Sequence, residues 1–121
     1  MSNPMHDVLA DWKAAFDGHR IDDMADLFTP DALFQGFDPD VKVGRDAVRA
    51  YYAAVPDDRA ADVTVLAAYT IGEETVGGFA DVVFRDPAGW RASVHLSLVL
   101  RREAGSWRIR QYHVSRTGAE D

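Results

Sequence analysis

A chain of 121 residues with 47% apolar residues is expected to form one domain, 1–121, around a core of its own. Its net charge of −7 argues against nucleic acid or an anionic membrane as partner, and no apolar run approaches the ~20 residues of a membrane span. The lack of cysteine excludes disulfides, a thiol nucleophile and a zinc–thiolate centre.

From Met1 to Asp7 there is neither the basic nor the apolar region of a signal peptide, so a cytoplasmic location is expected. Val8, Leu9, Trp12, Ala15 and Phe16 follow helical spacing and predict a first helix over roughly 4 to 18, with Gly18 as its stop. Asp22 is the expected cap of a short second helix carrying Met24, Leu27 and Phe28 and closed by Pro30. Leu33 to Gln35 reads as a short strand and 36–43 as a loop. A third helix follows Gly44, with Val48, Tyr51, Tyr52 and Val55 at i, i+3, i+4 and i+7.

Beyond Asp62 the pattern turns to strands. Val63 to Ile71, Val76 to Arg85, Trp90 to Arg102 and Ser106 to Arg116 are rich in β-branched, aromatic or alternating residues, with turns at 72–74, 86–89 and 104–105. Gly77 and Gly78 mark a bulge or bend in the second of them. Helices followed by an antiparallel four-stranded meander, plus one short strand, define an α+β class with helices packed on one face of a curved sheet.

Turn lengths give an expected register. A two-residue hairpin at Ala104–Gly105 sets Arg102 opposite Trp107, Leu100 opposite Ile109, Leu98 opposite Gln111 and Leu96 opposite His113. Continued through the 86–89 turn, it sets Arg85 opposite Trp90 and Asp81 opposite Val94. Asp81, Gln111, His113 and Ser115 then share the helix-covered face. At ~4.8 Å per strand, the Asp81 and His113 backbones are about 10 Å apart, within side-chain reach.

His113 is accordingly a candidate general acid/base and Asp81 its partner, because imidazole titrates near neutrality and a carboxylate buried in Gly78–Phe84 needs a partner. The bland alternatives are a satisfied inward histidine and an outward aspartate paired with arginine. Tyr51 and Tyr52 diverge by ~100°, so at least one faces the core, as packing or as a hydroxyl donor to a ligand. Trp12, Phe16, Phe28, Phe34 and Phe37 are candidates for an aromatic wall, and Gln35 with the following loop for a lid. His95, Arg101, Arg108, Arg110, Tyr112 and Arg116 fall on the opposite face, an expected interface. The four histidines show no metal spacing, and phosphate-loop and dinucleotide motifs are absent.

Three motifs occur in order: Leu27-Phe-Thr-Pro-Asp-Ala-Leu-Phe34, Val43-Gly-Arg-Asp-Ala-Val-Arg-Ala-Tyr-Tyr52, and Gly105-Ser-Trp-Arg-Ile109 with Tyr112-His-Val-Ser115. Together they resemble the nuclear transport factor 2-like superfamily, and within it the SnoaL-like (SgcJ/EcaC-like) proteins. The resemblance covers essentially the whole chain. It implies a cystatin-like cone with a pocket between helices and sheet, and a homodimer through the outer sheet face. It implies no single activity, since members include isomerases, cyclases, dehydratases and proteins without known catalysis.

Three readings of function follow. One is a protein that binds a small apolar or carbonyl-containing molecule in the cone, lined by Trp12, Phe16, Phe34, Gln35, Tyr51, Tyr52, Gln111 and Ser115. The second is a cofactor-independent isomerase, cyclase or dehydratase that moves protons with His113 and Asp81. The third is a dimerisation module whose cone is filled.

Overall fold

The computed structural model describes residues 3–117. Three helices and six strands follow in the order α1 (Pro4–Asp17), α2 (Ile21–Asp26), β1 (Phe28–Gln35), β2 (Lys42–Val43), α3 (Arg45–Ala53), β3 (Ala60–Gly72), β4 (Thr75–Arg85), β5 (Arg91–Glu103) and β6 (Ser106–Arg116). The strands form one sheet in the order β2-β1-β6-β5-β4-β3, in which β1 runs parallel to β6 and every other pair is antiparallel.

The first helix starts where its sequence says it should. The Asn3 side chain accepts the Met5 N–H at 2.8 Å and Pro4 occupies the first turn, where its missing N–H costs nothing. Met5, Val8, Leu9, Trp12, Ala15 and Phe16 form its buried stripe. Its far end is tied to β3: Asp17 accepts the Ala61 N–H at 2.9 Å, and Lys13 donates to the Ala61 carbonyl. The expected cap at Asp22 is not used; α2 begins two residues earlier than that cap implies, at Ile21 behind Arg20, with no side-chain cap. The strand expected at 33–35 begins at Phe28, and the expected loop contributes β2, which pairs Lys42 with Phe34 and Val43 with Leu33. Among the described residues no helix is long and apolar enough to cross a membrane.

Two local features change the expected register, each by one residue. Ala104 (φ 51°) and Gly105 (φ 83°) form the expected two-residue hairpin, with Arg102 opposite Trp107 and Leu100 opposite Ile109. A bulge then intervenes between Val99 and Leu100, so that Leu98 meets Tyr112 and Leu96 meets Val114. Arg110 is the extra residue. It leaves the ladder to donate to the Asp31 carbonyl at 3.1 Å and to approach the Asp31 carboxylate at 3.6 Å. The parallel β1–β6 pairing shifts at the same place, across Thr29–Ala32, where Pro30 has no N–H to give.

The second change lies between β4 and β5. Asp86 accepts the N–H groups of Ala88 and Trp90 at 2.9 and 3.0 Å, and Gly89 takes a positive φ of 103°. Trp90 is drawn into the loop, and pairing starts at Arg85–Arg91. Asp81 is therefore opposite His95, not Val94.

The helix-covered face thus carries Ala80, Val82, Phe84, Val94, Leu96, Leu98, Leu100, Ile109, Tyr112 and Val114, all buried. The bulges of the sheet's edge lie in β3, not at Gly77–Gly78, which serve close approach. A Cβ on Gly78 would lie 2.6 Å from the Ala67 carbonyl, part of the β3 backbone, and 2.9 Å from the methyl of the fully buried Met5. A Cβ on Gly77 would meet only the half-exposed Tyr69 ring, at 2.8 Å. Gly78→Ala should therefore destabilise by about 1–3 kcal/mol in urea denaturation, and Gly77→Ala by less than about half of that, since Tyr69 is free to swing away.

Candidate ligand-binding site

Between α1, α3 and the sheet lies an aromatic core. Phe34 stacks on Tyr112 with centroids 4.5 Å apart and 12° between planes, and Trp12 stacks on Phe16 at 5.2 Å. Tyr52 crosses between them, at 5.4 Å from Phe34 and 6.3 Å from Phe16. Its hydroxyl accepts the Trp12 indole N–H at 3.0 Å and is hydrogen-bonded by Tyr112. Burial pushes the Tyr52 and Tyr112 phenols far above the ordinary tyrosine range and Tyr51 above it. All three are neutral hydroxyls at physiological pH.

These rings fill most of the cone and leave a cavity of about 40 Å³ at its mouth. With ~10–15 Å³ needed for one water, that is room for a few water-sized spheres, or for a small group held edge-on. Phe16, Tyr52, Phe84 and Tyr112 form its floor, and Phe37, Tyr51, Val55, Arg59, Trp90 and Val114, with Gly36, its rim. Each rim residue has a local cause. Gly36 lets the Tyr51 ring cross the loop, where the Tyr51 hydroxyl accepts the Phe37 N–H at 3.0 Å; a side chain at Gly36 would collide with that ring. Trp90 is there because Asp86 holds it in the loop. The Arg59 guanidinium lies 3.8 Å above the Trp90 ring, and that of Arg116 4.7 Å from Phe37. Tyr51, Val55 and Arg59 also border a wider open depression outside, closed by Asp38, Lys42, Ala47 and Pro56.

Of the residues picked from sequence, Phe16, Phe37, Tyr51 and Tyr52 line the cavity. Trp12 and Phe34 stand one layer behind it, fully buried. The others lie elsewhere. Gln111, His113 and Ser115 project from the outer face, exposed, because the Arg110 bulge inverts that half of β6. Gln35, paired with His113, borders shallow hollows beside it. Asp81 is on the outer face as well, and its carboxylate is 2.6 Å from His95 Nδ1, not held by His113. The expected Asp81–His113 pair inside the cone does not form. The arginines expected on the outer face are engaged individually: Arg101 and Arg110 converge on Asp31, Arg108 reaches the Asp26 carbonyl, and Arg116 turns to the cone mouth. Tyr112, expected outside, is inside.

The cavity lining contains no carboxylate and no imidazole among the described residues. No group of three or more His, Asp or Glu is placed to hold a metal among them either. Sequence reasoning missed Val55, Arg59, Phe84, Trp90, Tyr112 and Val114. Trp90 and Arg59 carried a legible signal, an aromatic and a cation each flanking a turn, but nothing in the sequence brings the two together.

The buried phenols give a pH signature. Each proton is bound more tightly in the folded than in the unfolded chain, so this contribution to stability is complete below pH ~10 and lost as pH rises beyond it. In an alkaline titration followed by phenolate absorbance, Tyr52 and Tyr112 should ionise only together with unfolding. Ionisation of both near pH ~10 with the fold intact would contradict their burial.

The chain belongs to the SnoaL-like family, whose domain model matches residues 5–119. No relative was found among curated protein sequences. Its fold is shared with a ketosteroid isomerase-like protein from Erwinia carotovora atroseptica (18% identity, TM-score 0.80, 93% of each chain covered). A candidate scytalone dehydratase from Novosphingobium aromaticivorans is similar too (13% identity, TM-score 0.81, 93% of this chain and 81% of that one). So is a cystatin-like domain of unknown function from Nostoc punctiforme (13% identity, TM-score 0.82, 93% of this chain and 75% of that one). At these identities the likeness establishes the fold, a cystatin-like α+β cone, and no activity.

Proposed function

We propose that this protein binds a small, flat, largely apolar molecule at the mouth of the cone and does not turn it over. The observation that carries this reading is the composition of the cavity: aromatic and aliphatic walls, neutral phenols, and no group able to take up a proton near neutral pH. Two of the similar structures are named for isomerase-like and dehydratase chemistry. Such proton transfers need a base beside the substrate, and here Asp81 and His113, the expected pair, stand on the outer face. Titration with 2-naphthol tests the reading. Tyr51→Ala should change its affinity, whereas His113→Ala and Asp81→Ala should leave it unchanged. Loss of binding in His113→Ala alone would overturn it.

The outer sheet face supports a homodimer as the working form. Phe79 and Tyr69 stand on it, 52% and 55% exposed, beside the Asp81–His95 pair and Ser97. Exposed aromatics on a sheet face favour a cover. Sedimentation at micromolar concentration should find a dimer for the native chain and a shift toward monomer for Phe79→Glu; a native monomer would contradict the proposal.

A further inference from the structure

Arg59 is unusual in a chain so rich in acid. It follows Pro56-Asp57-Asp58, yet its guanidinium is bound to neither aspartate and instead lies flat on Trp90 at the rim of the cavity. Among the described residues it makes no ion pair and no side-chain hydrogen bond, and its Nε is buried without an acceptor. Arg49 Nε is buried without an acceptor too, but Arg49, like Arg20, Arg85, Arg101, Arg102 and Arg110, meets a carboxylate. Stacking occupies the face of a guanidinium and leaves its in-plane N–H donors free. A buried donor without a partner is costly unless something else supplies the acceptor. The carboxylate bordering the same depression, Asp38, is paired with Lys42 at 3.4 Å. Arg116 on Phe37 adds a second cation at the mouth.

We infer that the ligand of this site is an anion: a flat apolar body carrying a carboxylate or comparable oxyanion, the body against Trp90, Tyr51 and Phe84 and the oxyanion on the in-plane donors of Arg59. This rests on the mouth of the cone being the ligand site. It adds the charge of the ligand and the residue that reads it. Trp90 serves both partners, since its face holds the guanidinium and it also lines the cavity. A neutral phenol, Tyr51, beside the cation suits an anion better than a second carboxylate would.

Sodium benzoate and benzyl alcohol separate the charge from the ring, and 1-naphthoate and 1-naphthylmethanol repeat the comparison with a larger body. Affinities are read from chemical-shift titration of the native protein at pH 7. Each acid should bind about tenfold or more tighter than its alcohol, the preference should fall as salt is raised, and Arg59→Gln should remove the preference by weakening the acids far more than the alcohols. Equal affinity of acid and alcohol for the native protein would overturn the inference and leave the apolar site standing. Retention of the preference in Arg59→Gln would also overturn it, by placing the anion elsewhere. If none of the four probes binds, the ligand-site reading fails together with this inference. Should Arg59→Gln not fold, the acid-to-alcohol ratio of the native protein and its salt dependence still decide.

Discussion

Replacing Trp12 with alanine should destabilise the protein by about 4–5 kcal/mol, a large share of the 5–15 kcal/mol typical of a domain. Trp12 is fully buried and touches the three layers that make the cone: Phe16 on its own helix, Tyr52 on α3, and Phe84 and Tyr112 on the sheet. Alanine removes that packing and also leaves the Tyr52 hydroxyl without the indole donor. The lost hydrogen bond adds about 1 kcal/mol to the cavity cost. Trp12→Phe keeps the stack on Phe16 but not the donor, so it should recover more than half of the loss. Urea denaturation with unchanged slope measures both. A Trp12→Ala cost below about 1.5 kcal/mol would mean that the aromatic core is not packed as described.

Gly36→Ala is expected to have the largest effect on binding for the smallest change in composition. The added methyl would collide with the Tyr51 hydroxyl and the ring carbons beside it. The ring cannot bend, so it must rotate away from the Phe37 N–H, either into the cavity at the mouth or toward the open depression it also borders. Overpacking of this kind costs about 1–3 kcal/mol. The displaced ring either fills the cavity or leaves it without that wall, so 2-naphthol affinity should fall by about tenfold or more, equivalent to about 1.4 kcal/mol or more. The double variant Gly36→Ala/Tyr51→Ala should regain stability relative to Gly36→Ala, because the colliding ring is gone. A Gly36→Ala protein with native affinity would show that Tyr51 does not frame the site.

The elements were legible wherever periodicity and punctuation agree. The stripe Val8, Leu9, Trp12, Phe16 found α1, and the Ala104–Gly105 turn fixed one end of the β5–β6 pairing correctly. Register failed over distance because a sheet has a period of two, and a single extra residue exchanges its faces. Arg110 is such a residue, extruded by a tertiary contact with Asp31, 79 positions away in sequence. Trp90 is another, drawn into its loop by Asp86. Either event alone would have separated Asp81 from His113. Together they move both to the outer face and put Tyr112 and Val114 in the cone. The site inherited these errors: residues on α1 and α3 were found, those on β6 were inverted, and the rim built by Arg59 and Trp90 was missed because it joins two loops.

The proposed site predicts that a ligand enters at the mouth of the cone and not on the outer face. The three tryptophans report on it directly. Trp90 is on the rim, Trp12 is buried one layer behind the cavity, and Trp107 lies at the other end of β6 beneath Arg102. In a two-dimensional amide and indole spectrum titrated with 1-naphthoate, the Trp90 indole should shift most, with the amides of Phe37, Val55 and Arg59. The Trp107 indole and the amides of Asp81, His95 and His113 should stay within the small uniform changes of weak global effects. Saturable shifts centred on His113, Ser115 and His95, with Trp90 unmoved, would contradict the account.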